Sequence, residues 1–288
     1  MTYQLYNDKP SMLPAIVFGI LFAITTLVHI WQAIRTRSWF LTPIILGGLF
    51  EVAGYFCRVL SGTERDDWTT DPAAAQSVLI VLGPLLFTAS IILLFNRIVH
   101  ALKASSVSII RPNWLTRIFL AGVIVSFIIQ GGGGIMLLQS EDSERASLGS
   151  RIIFLGLLVQ ILFLLLYIIP TSIFHRRMLR TPLHQSNTEI TIPWQKYMTL
   201  LHSTVGLILV RTVFRAVEFG QGADGALRNK EAFIYIFDGI LMLAGWIIFN
   251  IWHPGMMFNA WGRAVAFQRA AVGELEMGVV ERGSVARG

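Results

Sequence analysis

Three stretches of the chain carry ionisable side chains at one repeated spacing: Glu51, Tyr55 and Arg58; Arg211, Arg215 and Glu218; Glu231, Tyr235 and Asp238. Each set is i, i+4, i+7, which on an α-helix is one face. Each also sits at an end of a long apolar run, where an ionisable group is costly and must find a partner or a wet cavity. Two chemistries fit these residue types. Carboxylates could hold a cationic amine and guanidiniums an anionic headgroup, or the four acids and three bases could neutralise one another and fix helix register. Gln76, Gln130 and Gln160 add neutral hydrogen-bonding groups within other apolar runs. Together the twelve residues form the candidate substrate-binding set.

The elements that must position them follow from composition. Of 288 residues, 54% are hydrophobic and 14% charged, against about 25% charged in an ordinary soluble domain. Seven apolar runs, at 11–34, 40–60, 73–98, 114–139, 150–174, 196–219 and 231–252, are each long enough to cross ~30 Å of hydrocarbon. The fold class expected is an all-α, polytopic seven-transmembrane bundle, with residues 1–10 as an N-terminal segment, 11–255 as the membrane domain and 256–288 as a tail. The first run is longer than a signal-peptide core and lacks a basic leader, so it reads as a retained helix.

Charge orients the bundle. Arg35 and Arg37, then Lys103, Arg111 and Arg117, then Arg176, Arg177, Arg180 and Lys196 fall in the first, third and fifth connections. Acidic residues dominate the second (Glu64, Asp66, Asp67, Asp71) and fourth (Glu141, Asp142, Glu144). The positive-inside rule then places the N-terminus outside, the C-terminus in the cytoplasm and the three charged sets in the outer half, as a polar cluster open to the exoplasmic side. The sixth connection, with Arg228 and Lys230 against Asp224, is discordant. The net charge of +6 is explained by these loops and not by nucleic-acid binding, since no basic extramembrane domain exists.

Other chemistries lack their residues. The single cysteine, Cys57, rules out an intrachain disulfide, and the six histidines are scattered without metal-ligand spacing. No P-loop and no Gly-x-Ser-x-Gly elbow is present. Neither a metal nor another cofactor is expected, and an enzyme is disfavoured. "QGGGG" at 130–134 points either to close helix–helix approach or to an unwound segment, and Pro84 to a kink in the third run. After the last run, "HPGMMF" stops the helix at Pro254. Met257, Trp261 and Val265 then recur every four residues, the pattern of a short interfacial helix.

Taken in order, the segments "EVAGYFCRVLS", "AAQSVLIVLGPLLFTASIILLFNRIV", "SFIIQGGGG", "GSRIIFLGLLVQILFL" and "RTVFRAVEFGQG…EAFIYIFDGILMLAGWIIFNIWHPG" resemble the fungal RTA-like, or lipid-translocating exporter, family. The resemblance runs from about residue 40 to 255. It departs from the family pattern at Ser126, where an acidic residue is expected before "QGGGG". It implies a seven-helix protein of fungal membranes, most naturally the plasma membrane, associated with lipid movement and resistance to lipophilic toxins. The substrates it implies are sphingoid long-chain bases, amino-sterols or phospholipid-like molecules, with porphyrins in one branch. The shared residues map onto the twelve named above and onto His253. Membrane lipids are the partners it implies; a seven-helix lipid sensor, receptor-like in architecture, is the alternative reading.

Overall fold

The computed structural model describes residues 12–63, 70–139, 142–180, 193–221 and 231–263, together with the backbone but not the side chains of residues 70, 71, 143, 231 and 232. The described residues form helices joined by turns and include seven helices long and apolar enough to cross a membrane. These are α1 (Met12–Thr36), α2 (Thr42–Thr63, entered through a 3₁₀ turn at Trp39–Leu41), α3 (Thr70–Ala101), α4 (Pro112–Leu138), α5 (Ser143–Arg180) and α6 (Trp194–Gln221). The seventh, α7, has three consecutive parts: an α-turn at Glu231–Ile234, a π-helical segment at Tyr235–Ile240 and an α-helix at Leu241–Ile251. The chain is an integral membrane protein whose spans match the seven apolar runs, most of them extended by a few residues.

Each helix packs on its neighbour in sequence, and the second half of α7 closes the bundle against α1 and α6. The centre is α3, the one described span of which most is buried, which also touches α6. Its core residues Leu85, Phe87, Ile91, Leu94 and Phe95 are almost completely buried and join Trp246, Phe249, Tyr167 and Phe174 in one continuous apolar cluster. Outward-facing residues such as Leu13, Leu27, Phe56, Ile128, Leu155 and Ile251 remain exposed and apolar, as a lipid-facing surface requires.

Glycine settles how near the backbones come. A Cβ on Gly47 of α2 would stand 2.6 Å from the Gly83 carbonyl of α3, and one on Gly133 of α4 would stand 2.8 Å from the Gly149 carbonyl of α5. The "QGGGG" stretch therefore stays helical and serves close approach. Only its second half does so, because Gly131 and Gly132 face open space. The irregular helical geometry among the described spans lies instead in α7, as the π-segment. The α3 helix continues unbroken through Pro84, and Thr88 donates its hydroxyl to the Pro84 carbonyl at 2.8 Å.

At the far end of α7 the α-helix closes at Ile251, and Pro254 opens a new helix over 254–263, here α8, rather than ending the old one. Proline suits a first turn, where its missing N–H has no helical partner. Met257 is buried and Trp261 and Phe258 pack on the main core, so the described part of this segment is anchored to the bundle. Val265 and the rest of the tail lie outside the described residues.

Candidate functional site

The charged set is assembled where α2 and α6 end and α7 begins. The i, i+4, i+7 spacing puts Glu51, Tyr55 and Arg58 on the inward face of α2 and Arg211, Arg215 and Glu218 on that of α6. Asp238 lies in the π-segment, and its two carboxylate oxygens pair with different arginines: Oδ1 with Arg211 Nε and Oδ2 with Arg215 Nη2. Arg215 Nη1 also pairs with Glu218 Oε2 at 2.9 Å, one turn along its own helix. Arg211 further donates through Nη2 to the backbone carbonyl of Ile80, fastening α6 to α3 as well. One aspartate thus joins two arginines, and these join three helices.

A second group sits beside the first. Arg58 donates from Nε to Tyr235 Oη at 2.8 Å, with its guanidinium carbon 5.0 Å from the same ring's centroid. Phe18 of α1 stacks on Tyr235 at 5.5 Å and on Tyr55 at 5.6 Å, and Phe22 stacks on Tyr55 at 5.5 Å. Gly239 makes room for this stack. A Cβ there would lie 2.8 Å from both Phe18 Cε1 and Tyr55 Oη.

Glu51 stands apart from these pairs. It is 1% exposed, and its Oε1 has no hydrogen-bond partner, although the carboxylate feels the attraction of Arg211 and Arg215 and the repulsion of Asp238. Gly83 of α3 gives it space, since a Cβ on that glycine would be 2.9 Å from Glu51 Oε1. Tyr55 Oη is likewise buried without a partner. An acid left over beside satisfied ion pairs is a place where a cation can be received.

The remaining candidates divide. Arg58, Arg211, Arg215, Glu218, Tyr235 and Asp238 are all at most 9% exposed, so the described cluster is enclosed rather than open to the outside. Gln76 is buried on α3. Gln130 and Gln160 are elsewhere, paired with each other between α4 and α5 at 3.1 Å. Gly156 admits that pairing, because a Cβ there would fall 2.5 Å from Gln130 Cγ. Ser126 and Gln160 reach a small cleft between α3, α4 and α5 of about 10 Å³, room for one water. The Glu231 side chain lies outside the described residues. Among the described residues no group of three or more His, Cys, Asp or Glu side chains is arranged to hold a metal.

The structure also adds residues that spacing did not single out. Phe18, Phe22 and Gly239 frame the tyrosines, and Ile80 contributes only its backbone. The aromatic residues of α1 are ordinary members of an apolar run, so no polar signal marks them, and a backbone carbonyl leaves no trace in sequence.

Comparison with known proteins gives the family. Protein RTM1 and Protoporphyrin uptake protein 1, both of Saccharomyces cerevisiae, are each 30% identical to the chain, each covering 86% of it and 91% of their own length. The Sphingoid long-chain base transporter RSB1 of the same species is 23% identical over 88% of the chain and 73% of its own length. No solved structure matches. Residues 44–260, which include all seven segments except α1 and every member of the charged cluster, match the family described as RTA1 like protein, and to that family the chain belongs.

Proposed function

We propose that the protein moves amphipathic aminolipids, of the sphingoid-base type, across a fungal membrane, most naturally the plasma membrane. The observation that carries this reading is Glu51. It is the buried carboxylate of the cluster whose Oε1 is not engaged, in a site otherwise neutralised by Arg211, Arg215, Asp238 and Glu218. A long-chain base presents an ammonium, hydroxyls and an apolar chain. The ammonium would meet Glu51, the hydroxyls would meet Tyr55, and the chain would remain against the apolar outer faces of the helices. The name of the sphingoid long-chain base transporter among the relatives supports the same substrate class. The basic first, third and fifth connections support an extracellular N-terminus and a cytoplasmic C-terminus, with the cluster on the outer side.

A lipid-sensor reading draws support from the enclosure of the cluster, since a site sealed at rest suits binding without passage. Reconstituted vesicles loaded with a fluorescent sphingosine separate the two. Translocation predicts that wild type accelerates transfer between leaflets. Glu51→Gln should reduce that acceleration about tenfold or more, the scale of losing one charge-assisted contact, while the melting temperature stays unchanged. Saturable binding with no acceleration would establish the sensor, and full transfer by Glu51→Gln would remove Glu51 from the site.

A further inference from the structure

Away from the charged cluster, α1 and the second half of α7 share a seam of buried polar atoms that no partner satisfies. Thr26 Oγ1, Gln32 Oε1, Trp246 Nε1, Asn250 Oδ1, and His253 Nδ1 and Nε2 all lack a hydrogen bond, and His29, whose ring reaches the Trp246 backbone with one nitrogen, leaves the other without one. Thr26, His29, Gln32, Trp246 and His253 are each at most 5% exposed. The seam is built, not accidental. Gln32 Nε2 donates to the Asn250 carbonyl at 2.9 Å, and Asn250 Nδ2 returns a bond to the Thr25 carbonyl at 3.1 Å. The His29 and His253 rings lie side by side at 6.0 Å between centroids, tilted by 44°, and are not hydrogen-bonded to each other.

The seam is continuous with the cluster. A Cβ on Gly48 of α2 would lie 3.0 Å from Trp246 Nε1 and closer still to Thr26 Oγ1, so both atoms converge on that glycine. Glu51 is three residues along α2 from Gly48, and His29 is three residues along α1 from Thr26, about 4.5 Å in each case. Leaving this many buried polar atoms dry would cost about as much as the whole stability of a typical domain.

We propose that the seam is hydrated and conducts protons, with the His29–His253 pair as its relay at the end of the bundle opposite the charged cluster. A proton arriving from the Glu51 carboxyl through the seam water adds to the lone pair of one ring nitrogen while the other nitrogen gives up its own to the next water. The ring is left neutral in the opposite tautomer, and Glu51 is left as carboxylate. Among the described residues no carboxylate or guanidinium acts on either ring. The charged groups on the surrounding elements are Glu51 and Arg58 on α2, Arg211, Arg215 and Glu218 on α6, Asp238 in α7, and Arg97 on α3, which lies over Phe40 at 4.1 Å. To these are added Arg35 on α1, over Trp31 at 5.1 Å, Arg263 on α8, and Lys196 on α6, over the ring of Trp252, the neighbour of His253 in sequence, at 4.8 Å. With no counterion beside it, the pair passes a proton on instead of storing it. Movement of an ammonium lipid one way can then be exchanged for a proton the other way.

Hydration is tested on the purified protein without any lipid substrate, by radiolytic hydroxyl-radical footprinting with mass spectrometry. Trp246, His29 and His253 should be modified several-fold above Phe95 and Phe174, which are equally buried in the core between α3 and α5; equal protection of both groups overturns the proposal. The relay is tested in phosphatidylcholine vesicles holding a fluorescent sphingosine, with and without a proton gradient. His29→Gln and His253→Gln keep hydrogen bonding but not tautomeric relay. Each should lower the gradient-driven rate at least about tenfold and flatten the dependence of the rate on the gradient; retention of full gradient dependence by both overturns the relay. Wild type that is footprinted as hydrated yet moves no sphingosine rejects the transport reading and leaves the wet seam standing.

Discussion

The two sides of the bundle are held together by different physics. Where α2, α6 and α7 meet, the contact is electrostatic: Asp238 is shared by Arg211 and Arg215, with Glu218 completing the set. Where α4 meets α5, the contact is steric, with Gly133 on Gly149 and Gln130 against Gly156, and one neutral amide pair crosses it. Backbone-to-backbone packing has a single fit and resists sliding. An ion cluster has strong directional bonds but alternative partners, so its arrangement changes when a competing charge enters. The α4–α5 side reads as the frame and the α2–α6–α7 side as the part that rearranges.

The sharpest way to break this contrast is Asp238→Ala. It leaves two buried guanidiniums short of an acid at once and should cost about 3–5 kcal/mol, seen as the largest fall in thermal stability in detergent. Milder destabilisation than that of a glycine substitution on α4 would invert the assignment of frame and moving part. Next comes Gly133→Val, whose side chain collides with the α5 backbone and should cost about 1–3 kcal/mol. Gly131→Ala, facing open space, should be neutral or slightly stabilising in the same assay. Equal effects at the two glycines would show that close packing is not what the stretch supplies. The smallest effect is expected from the double change Gln130→Leu with Gln160→Leu. Both partners of one hydrogen bond are removed together, so the shift should stay within about 1 kcal/mol, whereas either single change strands its partner and should cost more.

Much of this was legible in the primary structure, for identifiable reasons. Apolar runs of membrane-spanning length give the helices directly, because a bilayer imposes one thickness on all of them. The charged spacing brought Glu51, Tyr55, Arg58, Arg211, Arg215, Glu218, Tyr235 and Asp238 into one group, since ionisable groups in a span must face the interior, but it read that group as open to the outside where the described cluster is enclosed. Gln130 and Gln160 escaped that logic. A neutral amide is satisfied by any one partner, and a glycine opposite was enough to hold the two together away from the charges. The His29–His253 pair was hidden for another reason: its members lie 224 positions apart, and neither is part of a periodic set. Pro254 marks the break between α7, which ends at Ile251, and the helix that follows, which the proline itself opens.

The π-segment at Tyr235–Ile240 has a consequence for phase. On a regular α-helix Trp246, eight residues after Asp238, would be turned by about 80° from it. A π-turn absorbs about one residue, which reduces the count to seven and brings the two to within about 20° of the same azimuth. The single irregular turn therefore works as a phase corrector: it sets the acid that binds the arginines and the indole at mid-helix along one stripe of α7, which ends at Ile251. Relaxing it to α-helix would rotate the lower stripe by roughly 100° away from α1.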